Sequence, residues 1–126
     1  MIDILLNLET GLAKATVSPV IKAGALVPVR ITLAVDPGAA PAWELALSAQ
    51  GSTPATLAYL DTLTAESATV WLGDWDTNDT RLIDFMAGKQ TATLDMEVAW
   101  TLGGLREVAP NIAVQVQRRI VTGPEP

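Results

Sequence analysis

Val27-Pro28-Val29-Arg30-Ile31-Thr32-Leu33-Ala34-Val35, followed by Asp36-Pro37-Gly38, decides the fold class of this chain. Val27, Val29, Ile31, Leu33 and Val35 share one parity, and Pro28, Arg30, Thr32 and Ala34 share the other. Side chains of a strand alternate between the two faces of a sheet, so this spacing predicts a strand with one buried side. A helix would scatter the same residues around its axis. Asp36-Pro37-Gly38 then turns the chain, because Pro presets φ and Gly accepts positive φ.

The same period extends in both directions. Ile2, Ile4, Leu6 and Leu8 alternate with Asp3, Leu5, Asn7 and Glu9 before Thr10-Gly11. Trp43, Leu45, Leu47 and Ala49 alternate with Glu44, Ala46, Ser48 and Gln50. Ala92, Leu94, Met96, Val98 and Trp100 alternate with polar residues and Ala99, and Gly103-Gly104 marks a turn. Ile112, Val114 and Val116 make the last run; Arg118 breaks its parity, and Ile120-Val121 resumes it after a bulge. Weaker strand signals lie at residues 15–17, 20–21, 57–60 and 68–72. Leu82, Phe85 and Met86 have helical spacing, with Asn78, Asp79 or Thr80 to cap the start and Gly88 to suit the end. The expectation is an all-β, antiparallel β-sandwich of seven or eight strands over residues 1–122, with one short helix near residues 79–87 and an extended Pro-containing tail at 123–126.

Composition narrows the chemistry. The 126 residues include no Cys and no His, which excludes disulfides, thiol nucleophiles, Cys/His zinc sites and Ser-His-Asp triads. Eight Lys and Arg against fourteen Asp and Glu give a net charge of −6, so neither nucleic acid nor an anionic membrane is an expected partner. No stretch approaches the roughly eighteen apolar residues of a membrane span. Met1-Ile2-Asp3-Ile4 places an acid where a signal peptide wants positive charge, so no export signal is expected. With 49% hydrophobic residues, the surplus is to be buried in the domain or against another chain.

Few residues suggest chemistry. Asp74, Asp76 and Asn78 match positions one, three and five of a calcium loop, but Asp79 stands where the loop needs Gly and Phe85 where it needs a bidentate Glu. The stretch reads as a polar turn entering a helix, and no metal or other cofactor is expected. Asp95 and Glu97 share one strand face, which is ordinary for a solvated strand. Ser18, Ser48, Ser52 and Ser67 stand outside any nucleophile elbow, so no catalytic residue is assigned and the chain is read as a non-enzyme. Trp43 and Trp100 keep the parity of apolar neighbours and read as core. Trp71 and Trp75 share one parity while Val70 and Leu72 fill the other, leaving both faces apolar near residues 70–72. The candidate interface is therefore Trp71, Leu72 and Trp75, with the basic pair Arg118-Arg119. An alternative is a carbohydrate-binding module using Trp75 and the acidic turn as its platform.

Three stretches resemble the small β-sandwich domains of bacteriophage tail and baseplate proteins, in particular the N-terminal attachment domains of tail-fibre and receptor-binding proteins. The first is Ala23-Gly24-Ala25-Leu26-Val27-Pro28-Val29-Arg30-Ile31, a Gly-containing turn entering a strand. The second is Trp71-Leu72-Gly73-Asp74-Trp75-Asp76-Thr77, then Leu82 and Met86-Ala87-Gly88, a strand ending in Asp-Thr before a short helix. The third is Glu97 to Gly104 followed by Ile112 to Val121, similar to a closing hairpin whose Gly-Gly turn precedes a long final strand. The resemblance implies a structural virion protein, assembled in the host cytoplasm, whose partners are other phage structural proteins and copies of itself. It implies no catalytic residues.

Overall fold

The computed structural model describes residues 1–16, 18–50 and 56–118. Eleven strands and one helix follow in order: β1 (Ile2–Asn7), β2 (Leu12–Ala15), β3 (Val20–Lys22), β4 (Leu26–Leu33), β5 (Ala42–Ala49), β6 (Thr56–Leu60), β7 (Thr64–Ala65), β8 (Val70–Asp76), α1 (Thr80–Met86), β9 (Thr91–Leu102), β10 (Leu105–Val108) and β11 (Ile112–Gln117). They form two sheets. The front sheet runs β2-β1-β4-β8-β7; the back sheet runs β3-β11-β9-β5-β6, with β10 continuing the β11 side of β9. This is the all-β sandwich that the alternation predicts.

The inward parity builds the core. Ile2, Ile4 and Leu6 of β1, Val27, Val29, Ile31 and Leu33 of β4, Leu45 and Leu47 of β5, and Leu94, Met96 and Val98 of β9 are all buried in one cluster. Trp43 of the back sheet meets Trp71 of the front sheet edge-on, ring centroids 5.6 Å apart, and Trp100 lies 6.5 Å from Trp43. Val35 falls outside the pattern: β4 ends at Leu33 and Val35 is exposed.

Two features differ from expectation. The described residues hold eleven strands, not seven or eight; among the additional ones are β7, two residues long, and β10, all four residues of which are exposed. Neither leaves an apolar period to read. The ladders are also not all antiparallel: β1 pairs with β4 and β3 with β11 in parallel. The chain makes the β1–β2 hairpin, crosses to the back sheet as β3, and returns as β4 on the other side of β1. Two such crossings bring like-directed strands together. The Gly-Gly turn likewise opens β10 rather than the final strand. Gly103 and Gly104 have φ of 60° and 82°, the two positive values that a two-residue hairpin loop between Leu102 and Leu105 requires.

Local chemistry positions the rest. Leu33 N donates to Thr69 O, so odd residues of β4 face β8 in hydrogen-bonded pairs and Pro28 falls between them. Its parallel partner β1 begins pairing at Val29, so the missing N–H of Pro28 interrupts neither ladder. Thr77 is fully buried where β8 leaves the sheet; its hydroxyl donates to Ala25 O at 2.6 Å, and its N–H donates to the same carbonyl at 3.0 Å. Asp79 supplies the N-cap of α1, accepting from Arg81 N at 2.9 Å, and Gly88 follows the end with φ of 79°. The helix packs on β6, the outer strand of the back sheet. Other edges carry charge: Lys14 on β2, Lys22 on β3, Arg106 and Glu107 on β10, the usual guard against edge-to-edge pairing.

Candidate assembly surface

The sequence-predicted interface residues divide between core and surface. Trp71 is 4% exposed and Trp75 is fully buried, so both belong to the core, and neither lies on the outer face of the front sheet. This corrects the expectation for both residues, and it removes Trp75 as a sugar platform. Size decides the parity. An indole withdraws more apolar area than Leu or Val, so β8 turns its tryptophans inward and leaves Leu72 outside. Leu72 is 37% exposed, on the outer face of the front sheet. Arg118 is exposed at the end of β11, its N–H donating to Gln90 O at 2.9 Å. Arg119, Ile120-Val121 and the tail at 123–126 lie outside the described residues.

The register shows what surrounds Leu72. Arg30 stands opposite Leu72 on β8 and opposite Asp3 on β1; Thr32 stands opposite Val70 and Leu5. Arg30 engages Asp3 with two nitrogens, Nε reaching Oδ1 at 3.1 Å. The outer face of the front sheet is thus an ion pair flanked by Leu5, Val70 and Leu72, with Pro28 exposed beside them and Leu5 45% exposed.

A polar cluster occupies the opposite face. Tyr59 of β6 donates its hydroxyl to Glu44 Oε2 at 2.7 Å, and Arg106 of β10 donates Nε to Glu44 Oε1 at 3.1 Å. Ala46 is the cross-strand neighbour of Tyr59, and buried Ala99 that of Glu44. Sequence reasoning missed this site, since its three polar members come from different strands and no local spacing joins them.

The acidic turn resolves into backbone caps. Asp74 and Asp76 lie on β8 with their side chains outward; Asp76 Oδ1 accepts from Asn78 N at 3.0 Å, and Asp79 caps α1 while pairing with Arg81. Among the described residues no three acidic groups converge in a way that could hold a metal ion, and no helix is long and apolar enough to cross a membrane.

Three carboxyls sit below their ordinary range. Arg30 lowers Asp3 chiefly through its hydrogen bond, Tyr59 and then Arg106 lower Glu44, and Arg81 lowers Asp79. A carboxyl with a depressed folded-state pKa stabilises the fold above its unfolded value and loses that contribution as pH falls through the folded value. Thermal melts are therefore expected to be flat near neutrality and to decline below about pH 4. Glu44→Gln shrinks the decline by its share; a decline unchanged in Glu44→Gln, Asp3→Asn and Asp79→Asn together contradicts the assignment.

Comparison with known protein families, curated proteins and solved structures returns no match.

Proposed function

We propose that this protein is a structural assembly subunit, a β-sandwich adaptor that joins copies of itself or neighbouring proteins in a tailed-phage particle. The observation that carries the assembly reading is the outer face of the front sheet, where Leu5, Val70 and Leu72 flank the Asp3–Arg30 pair. A sheet face packed only against water is expected to alternate polar residues outward. Three apolar side chains set around an ion pair and Thr32 have the mixed composition of an interface. The phage setting rests on the resemblance of the three sequence stretches.

Leu72→Ser is the test. Outward on β8, the change is expected to leave unfolding within about 0.5 kcal/mol of the parent, yet to weaken association measured by sedimentation across concentration or by co-purification with a tail protein. A parent that stays monomeric at high concentration and captures no tail protein contradicts the reading.

A second reading, carbohydrate binding, draws support from Tyr59, 46% exposed beside Glu44 and Arg106 on the back sheet. An aromatic ring next to fixed hydrogen-bonding groups is the chemistry a sugar ring uses. Titration with a panel of soluble glycans, read by chemical shifts of Tyr59 and Arg106, decides it.

A further inference from the structure

At the end of the sandwich where β4 finishes and β5 and β8 begin, the loop at 36–40 and the segment at 65–68 enclose an open slot of about 450 Å³. Its walls are Ala39, Ala40, Ala65 and Ala68, the nearly buried Trp71 contributes to its lining, and Asp36 and Ser67 complete it. Asp36 is held in place by one oxygen, its Oδ1 accepting from Gly38 N at 2.9 Å. Among the described residues Asp36 makes no ion pair. The slot is thus largely apolar, with one carboxylate, Asp36, in its lining.

The opposite end carries the opposite charge. Lys22 and Arg118 line a smaller hollow of about 320 Å³ with Gln90, Thr91 and Gln117, and neither makes an ion pair among the described residues. Arg118-Arg119 is the one adjacent basic pair in the sequence, and two β-branched aliphatics, Ile120-Val121, follow it. Cations leading two aliphatic side chains complement an apolar slot that carries a carboxylate, Asp36.

We propose that the slot receives the Arg118-Arg119-Ile120-Val121 segment of a second copy of this chain, so that copies join head to tail. This rests on the assembly reading above and adds to the outer face of the front sheet a second contact. Geometry rules out the chain's own segment. Gln117 pairs with Thr91 at one end of β9, while Ala42, just past the slot, pairs with Thr101 at the other. Ten strand residues separate those positions by about 33 Å, whereas Ile120 lies two residues beyond Arg118, about 7 Å of chain. A contact between two different surfaces is heterologous, and repetition closes it into a ring or extends it as a row.

The test uses the full chain and two variants. Ala68→Trp fills the slot and keeps the segment; Arg119→Glu with Ile120→Asp spoils the segment and keeps the slot. Sedimentation equilibrium is expected to show each variant alone associating at least about tenfold more weakly than the parent, a loss of about 1.4 kcal/mol. Mixed in equal amounts, they are expected to form one-to-one pairs, because each supplies what the other lacks. Raising the salt concentration weakens parent and mixed pairs alike. Variants that assemble like the parent overturn the proposal while leaving the assembly reading intact. A mixture that stays monomeric also overturns it. A parent that neither self-associates nor captures a tail protein overturns both. Circular dichroism confirms folding first, and Ala40→Leu replaces Ala68→Trp if that variant does not fold.

Discussion

Trp75→Ala is expected to cost about 3–5 kcal/mol of folding stability, and Trp75→Phe far less than its lost volume suggests. Trp75 is fully buried on β8, opposite Val27 of β4, in the same core cluster as Leu82 and Met86 of α1. Truncation to Ala leaves a cavity that a β-sandwich core cannot fully close. The indole also carries a liability: among the described residues its Nε1 has no hydrogen-bond partner. A buried N–H without a partner costs about 1–3 kcal/mol. Phe keeps most of the apolar ring and removes that donor, so the two effects oppose each other, and a net change within about 2 kcal/mol is expected. Urea unfolding with an unchanged slope measures both. Against a total of about 5–15 kcal/mol, the Ala variant is near the edge of folding. If Phe is as damaging as Ala, the indole nitrogen has a partner and the premise is wrong.

Gly73→Val is expected to be more destabilising still in relation to the atoms added. Sequence reasoning favours the change, since Gly weakens a strand and Val suits one. Gly73 also has no positive φ to protect. The obstacle is tertiary. A Cβ at Gly73 meets the Leu63 side chain and lies 2.9 Å from the backbone oxygen of Thr62. Leu63 can rotate; the carbonyl belongs to the crossing from β6 to β7 and cannot withdraw without moving that connection. Replacing Gly by Ala in an open strand gains roughly 0.5–1 kcal/mol, whereas overpacking costs about 1–3 kcal/mol. Sterics therefore win: Gly73→Ala loses stability and Gly73→Val loses more. Adding Leu63→Ala to Gly73→Ala recovers only the share of the clash owed to Leu63. A neutral or stabilising Gly73→Ala, read from the denaturation midpoint, contradicts the close approach.

The contrast between these positions marks what was legible. Trp75 was visible as a large apolar residue in a strand, yet its direction was not, because Val70 and Leu72 competed with Trp71 and Trp75 for the inner face. Local alternation states that two faces exist; which one is buried depends on what the opposite sheet offers, here Trp43 against Trp71. Gly73 shares the parity of Trp71 and Trp75, but the segment that requires a glycine there comes from a connection ten residues earlier, and nothing in the spacing announces that contact. The Glu44–Tyr59–Arg106 cluster was invisible for the same reason.

By itself the sequence determined the class of fold and most of its interior. Period-two alternation marked β1, β4, β5, β9 and β11, and the Asn78-Asp79-Thr80 stretch, Gly88 and the Gly103-Gly104 pair marked the ends of α1 and the tip of a hairpin, with Asp79 the cap in the structure. These are properties of side-chain direction and backbone φ, which are local. Only the tertiary structure decided the parallel neighbours β1–β4 and β3–β11, the short exposed strands β7 and β10, and the fate of Trp71, Leu72 and Trp75. Each depends on which surfaces lie opposite one another after the chain crosses between sheets. That is settled by burial summed over the whole domain and leaves no mark in the spacing of neighbouring residues.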